Sequence, residues 1–320
     1  MEPDQAASPP SSADAFAELA RRLADNVSRA VQVRPDTLEH VIVALLAEGH
    51  VLVEDYPGVG KTALARAIAR SIDCQFARIQ CTSDLLPADV VGTNVYDARE
   101  HRFEFRPGPV FANVVLVDEI NRASPKTQSG LLECMQERSV TVDVQTHELA
   151  RPFLVLATQN PVEYEGTYPL PEAQVDRFMV RVSLGYPAPA AESNMLADHG
   201  AGDHVRALQA VTDAAEILSA QQAAAAVHAS DALRDYVVAL LWRTREDPRV
   251  ELGASPRAGL MLLRAAKAYA LLRGREHALP DDVQALAESV LSHRLLLAPE
   301  CARSAAREVI ADAIASVPAR

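Results

Sequence analysis

No stretch of this sequence approaches the ~20 consecutive apolar residues needed to cross a bilayer, so membrane insertion is not expected. The N-terminus reads Met-Glu-Pro-Asp, with no basic segment leading into an apolar one, so no secretory signal is visible. Cysteine is sparse. Cys74, Cys81, Cys134 and Cys301 show no paired CxxC spacing, and the expectation is a reduced, cytoplasmic chain. Basic residues are also short: 31 Lys and Arg face 43 Asp and Glu, a formal charge of −12. That balance disfavours a surface that grips nucleic acid all over, though not a local basic channel. No GxSxG or Cys-His arrangement marks a protease. His199 and His204 lack a cysteine or acid cluster to complete a metal site and are expected to be exposed loop residues.

The composition itself fits one large or two moderate domains. The 320 residues are 49% hydrophobic and 23% charged, and area scaling has such a chain bury about 74% of its unfolded surface. Residues 1–12 are rich in proline and serine and are expected to be a disordered tail. Phe16, Leu19, Leu23 and Val27 recur at helical spacing, and Pro35 opens a second helix. Continuous apolar strands at 51–53, 114–117 and 153–158 alternate with helical or hairpin segments, the pattern of a parallel sheet covered on both faces. Around Tyr186 the character changes. The chain beyond it reads as helix, with Leu233, Val237, Leu240 and Leu241 on one amphipathic face, Leu260, Leu263 and Tyr269 marking another helix, and Trp242 expected to pack in this helical domain. The expected division is a tail (1–12), an α/β core (13–186), and a linker with a helical domain (187–320).

Three constellations carry chemistry. Asp55-Tyr56-Pro57-Gly58-Val59-Gly60-Lys61-Thr62, continuing into Ala63, lies between a strand and a helix, where backbone amides and the helix N-terminus can converge on phosphate oxygens. Lys61 would reach the β- and γ-phosphates and Thr62 would ligate Mg²⁺. Asp55 stands where the usual pattern has its first glycine, and the alternative is an ordinary strand-to-helix glycine turn. Val114–Val117 ends in Asp118 and Glu119: Asp118 would hold Mg²⁺ through water and Glu119 would act as general base. The alternative is a solvated strand end. Asn160 comes after the third strand and could orient a water, or serve as a turn residue before Pro161.

The runs Asp118-Glu119-Ile120-Asn121-Arg122-Ala123-Ser124-Pro125, Ala157-Thr158-Gln159-Asn160-Pro161 through Asp176-Arg177-Phe178, and Phe103-Glu104-Phe105-Arg106-Pro107-Gly108-Pro109 together resemble the MoxR family of AAA+ ATPases. The resemblance spans roughly residues 14–300 and is most specific in 50–180. It implies a P-loop ATPase core with a parallel sheet between helices, followed by a small all-helical lid domain, with ATP between the two. It implies sensor 1 at Asn160, an arginine finger at Arg177 serving the neighbouring subunit, and a sensor-2 arginine at Arg257. It makes residues 82–112 a helix-2 insert facing a ring pore and 139–148 a hairpin before sensor 1, with a glycine often standing where this chain has Val144. Gln80 is a candidate for coupling a pore partner to Glu119. The implied activity is ATP hydrolysis in a homo-oligomeric ring, six subunits being the family expectation. That activity would drive chaperone-like remodelling, maturation, or metal or cofactor insertion in client proteins, with a von Willebrand factor A domain protein as a frequent partner. The alternatives are a ring-type nucleic-acid motor, a magnesium-chelatase-type subunit, and a nucleotide-binding scaffold without turnover.

Overall fold

The structure is a computed structural model and describes residues 12–56, 58–160, 167–186, 189, 192–193, 204–302 and 304–319. Most of the expected tail, Pro57, residues 161–166, His199 and most of the 187–203 junction lie outside the described residues. Two helices, α1 (Ser12–Ser28) and α2 (Pro35–Leu46), precede β1 (Val51–Glu54), α3 (Lys61–Ser71) and β2 (Phe76–Gln80). Next come α4 (Pro87–Val91), the hairpin β3 (Gly92–Asp97) and β4 (Arg102–Pro107), β5 (Val114–Asp118) and α5 (Pro125–Glu137). A second hairpin, β6 (Ser139–Val142) and β7 (Gln145–Glu148), leads to β8 (Leu154–Gln159), α6 (Glu172–Val175) and β9 (Val180–Val182). The remaining elements are α7 (His204–Ala207), α8 (Ala214–Ala226), α9 (Asp231–Glu246), β10 (Val250–Leu252), α10 (Pro256–Leu272), α11 (Pro280–Leu291), β11 (Leu296–Leu297) and α12 (Ala305–Ser316).

Five strands form one parallel sheet in the order β2-β5-β8-β1-β9. The unbroken apolar runs have a simple cause: both faces are covered. Val115, Val117, Val155 and Ala157 pack on the side of Leu131, Leu132 and Met135 of α5. Val114, Leu116, Leu154 and Leu156 pack on the other side with Leu64 and Ile68 of α3. Each such valine, leucine, isoleucine or methionine, fully buried, stabilises by about 1.5–3 kcal/mol. His50, before β1, fastens the sheet to α5. Its Nδ1 accepts from Val155 N at 3.1 Å and its Nε2 donates to Met135 O at 3.0 Å.

The helical region shares the α3-side core. Its central helix is α10, which packs against α1, α2, α8, α9 and α11. Such crowding demands small side chains, and Ala258, Gly259, Ala265, Ala266 and Ala268 are buried there with Leu262. Leu260, one of the large residues that mark this helix in the sequence, is 66% exposed. Trp242, expected to pack in the helical domain, is 55% exposed, with the Arg245 guanidinium 5.3 Å from its ring centroid. The region is not wholly helical either: β10 and β11 form an antiparallel pair. His204 is exposed, as expected, but begins α7 rather than lying in a loop.

The two hairpins dock on each other. The Phe105 ring stacks on His147 at 3.9 Å, Phe111 meets Phe105 edge-on, and Asn94 Nδ2 donates to Asp143 Oδ2 at 2.7 Å. The left-handed residue of the second turn is Asp143, φ +55°, and not Val144, so no glycine is needed at 144. Val144 stands 94% exposed at the tip.

Candidate nucleotide site

The phosphate loop leaves the C-terminal end of β1 and enters α3. Gly58 and Gly60 sit at φ +86° and +91°, a region that side chains rarely adopt, and Gly60 is the N-cap of α3. The first turn of α3 thus begins at Lys61 and Thr62, with its free N–H groups at the loop, and Val59 and Ala63 pack towards the core. Lys61 Nζ donates to the carbonyls of Asp55 at 3.1 Å and Tyr56 at 3.3 Å, which holds the ammonium over the loop. The Tyr56 ring stacks on Tyr186 with centroids 5.9 Å apart.

Asp55 does not project its charge into this loop. Its side chain is buried and accepts from Ser183 Oγ at 3.1 Å, from Gly185 N at 3.2 Å and from Leu184 N. The carboxylate therefore ties the start of the phosphate loop to the chain leaving β9. Sequence reasoning missed this partner, because nothing near Asp55 in the chain points to residues 183–185.

The acid pair lies at the same edge of the sheet, at the end of β5. Asp118 Oδ1 accepts from Thr158 Oγ1 at 2.7 Å, and its Oδ2 pairs with Arg78 at 2.6 Å. Glu119 has left-handed backbone, φ +56°, ψ +51°, a conformation that costs about 1–3 kcal/mol outside glycine. Its N–H donates to Thr158 Oγ1 at 2.9 Å, while its carboxylate accepts from Gln80 Nε2 at 3.2 Å and Arg122 Nη1 at 3.3 Å. Thr158 thus orients both acids, and Gln80 meets Glu119 directly. Arg78, Arg122 and Thr158 were not singled out from sequence. The β2–β5 register and the β5–β8 pairing bring in Arg78 and Thr158, and the tight turn after Glu119 brings in Arg122. Beside the acids, the Cys81 thiol is pushed up to about 12, by burial first and by Asp118 and Glu119 second.

Asn160 closes the end of β8 and lines a cavity of about 610 Å³ with Glu54, Gln159, Arg181 and residues 295–299. Lys61 and Thr62 do not line it, so this cavity neighbours the phosphate loop rather than forming its mouth. Arg177 and Arg257 lie elsewhere. Arg177 comes after α6, just before β9, whose Val180 pairs with Val51 at the start of β1. Arg257 is on the first turn of α10, capped by Ser255, whose Oγ is 3.4 Å from Asp176 Oδ2. Both arginines therefore sit at the N-terminal edge of the sheet. The phosphate loop is at the other edge, roughly 10 Å away by strand rise along β1. Among the described residues neither guanidinium has an ion pair or a hydrogen-bond acceptor.

The ATPase family associated with various cellular activities (AAA) matches residues 50–180, and the AAA lid domain matches residues 243–313. Chaperone MoxR1 of Mycobacterium tuberculosis is 41% identical over 301 residues, covering 90% of this chain and 79% of that one. Protein MoxR of Methylorubrum extorquens is 32% identical, covering 88% and 89%. The chain belongs to the MoxR family of AAA ATPases. Protein YeaC of Bacillus subtilis is 49% identical to this MoxR-family chain over 88% of each. The crystal structure of an assigned ATPase from Cytophaga hutchinsonii superposes with a TM-score of 0.89 at 36% identity, covering 96% of this chain and 97% of that one. As a MoxR-family AAA ATPase the chain binds ATP.

The residues present also fit a hard divalent cation. The Thr62 hydroxyl and the Asp118 carboxylate are oxygen donors, and Mg²⁺ typically takes one or two protein ligands, with water and phosphate oxygens filling the rest. Among the described residues there is no cluster of three or more His, Cys, Asp or Glu that would compete as a metal site, and no helix is long and apolar enough to cross a membrane.

Proposed function

We propose that this chain hydrolyses ATP at the edge formed by the phosphate loop, Asp118, Glu119 and Asn160, and that a neighbouring copy completes the site with Arg177 and Arg257. The backbone of Asp55–Ala63 cradles the phosphates, with Lys61 on the β- and γ-oxygens. Thr62 and Asp118 would hold Mg²⁺, which would supply charge neutralisation for those oxygens. Glu119, fixed by Thr158, Gln80 and Arg122, takes the proton of the attacking water, and Asn160 orients that water. The observation that carries this reading is the convergence of loop and acids on one edge, while two arginines without an acidic partner among the described residues stand at the other. A homo-oligomeric ring, with six subunits as the family expectation, puts one edge against the other across each interface.

The work done by this cycle is remodelling of client proteins, a reading supported by the likeness to a chaperone. Glu119→Gln is the test. It keeps ATP binding and lowers turnover by about 10²–10⁴-fold, measured as phosphate release beside nucleotide-binding titration. Turnover at the parent rate overturns the assignment. The same variant loaded with ATP is expected to retain its client in a pull-down.

A further inference from the structure

One buried group outside the catalytic edge joins the two arginines. Arg294, just after α11, is sunk to 1% side-chain exposure. Its Nε donates to Asp176 Oδ1 at 2.7 Å, and its Nη2 donates to the carbonyls of Asp176 at 3.1 Å and Phe178 at 2.5 Å. Its Nη1 donates to Met179 O at 3.2 Å and also to Val290 O near the end of α11. The same guanidinium touches Met261 Sδ, one turn beyond Arg257 on α10. Ser255, the cap of that helix, reaches the second oxygen of Asp176. Arg177 therefore stands between two residues, Asp176 and Phe178, that a single helical-region side chain holds. That side chain also rests on the helix that carries Arg257.

We infer that Asp176 and Arg294 are positioning residues: they lock the helical region to the Asp176–Phe178 segment, so that any rotation of the former carries Arg177 and Arg257 together towards or away from the neighbouring subunit's nucleotide. This rests on the reading of Arg177 as a group acting in trans. It adds a route by which the helical region of one subunit sets hydrolysis in the next. Five N–H donors in a planar fork suit the job, because Arg294 satisfies four backbone carbonyls and a carboxylate at once. A lysine there would keep the charge and lose most of the contacts.

The test uses mixed rings of the full chain. Arg294→Lys is expected to lower turnover at least tenfold with ATP binding intact. Adding Glu119→Gln subunits, which are dead in their own sites but carry a well-held Arg177, is expected to restore turnover per Arg294→Lys subunit. Asp176→Asn, a milder change at a partly exposed position, is expected to behave the same way, and thermal melting monitors the fold of both. Arg177→Ala is the control. If Arg177→Ala is rescued by Glu119→Gln subunits while Arg294→Lys and Asp176→Asn are not, these two residues act within their own subunit and the inference is overturned. Parent-level turnover in both variants overturns it as well. If Arg177→Ala itself keeps its turnover, the reading of that arginine falls, and this inference with it.

Discussion

Asp55 makes a test by sign. Its two oxygens meet a hydroxyl and two backbone amides of residues 183–185. Both amides meet one oxygen, Oδ2, so Asp55→Asn can keep its carbonyl oxygen on them and turn its NH₂ to the Ser183 hydroxyl, but three charge-assisted hydrogen bonds become neutral ones, at a cost of about 1–2 kcal/mol. The expected result is lower stability in urea unfolding with ATP affinity unchanged or weaker. Tighter ATP binding would mean that the carboxylate faces the phosphates. His50 sets an acid limit of a different kind. Burial lowers its pKa from 6.5 to about 4, so the folded chain refuses a proton that the unfolded chain accepts. Stability from this group is complete above about pH 7, declines as pH falls through 6.5, and is lost by about pH 4, a total of about 3 kcal/mol. Protonation would also set Nδ1–H against the Val155 N–H. Unfolding free energies measured at pH 7.5 and 5 should show the drop, and His50→Gln, which keeps a donor and an acceptor, should flatten it. His293, buried and lowered in the same direction, adds to the slope that remains in that variant.

At the scale of elements, the insert hairpin is pinched at its base by two glycines. A Cβ on Gly108 would lie 2.3 Å from Val90 O, and one on Gly92, at φ +94°, would lie 2.3 Å from Arg106 O. Backbone atoms cannot step aside, so Gly108→Ala is expected to displace the hairpin and undo the Phe105–His147 stack. Loss of histidine ring-shift perturbation in NMR would report it, with nucleotide binding retained. A milder case is Gly259→Ala on α10, where the new methyl meets Leu241 Cδ1 at 2.7 Å; overpacking of this kind costs about 1–3 kcal/mol and should appear as a lower melting temperature. The strands were legible in the sequence because a strand covered on both faces must be apolar without interruption. The face of α10 was not. Large residues usually mark the packed side, but the centre of a crowded bundle takes alanine and leaves Leu260 outside. The phosphate loop and the acid pair could be read as local strings. Arg78, Thr158 and Ser183 could not, because their partners stand 40 or more residues away and meet them only through strand register.

For the whole molecule, the proposed completion of each site by the neighbour's Arg177 and Arg257 predicts that an isolated subunit is a poor catalyst. Turnover per subunit should climb with protein concentration in step with assembly followed by light scattering, and dilution should silence it without unfolding. A concentration-independent rate would show one chain to be sufficient. The lone tryptophan offers a way to watch such events unlabelled. Trp242 lies open on α9 beneath an arginine, so its emission colour and its quenching by iodide should change when a neighbour or client covers that surface. The chain thus carries an intrinsic optical probe at a place where altering the ring disturbs no core.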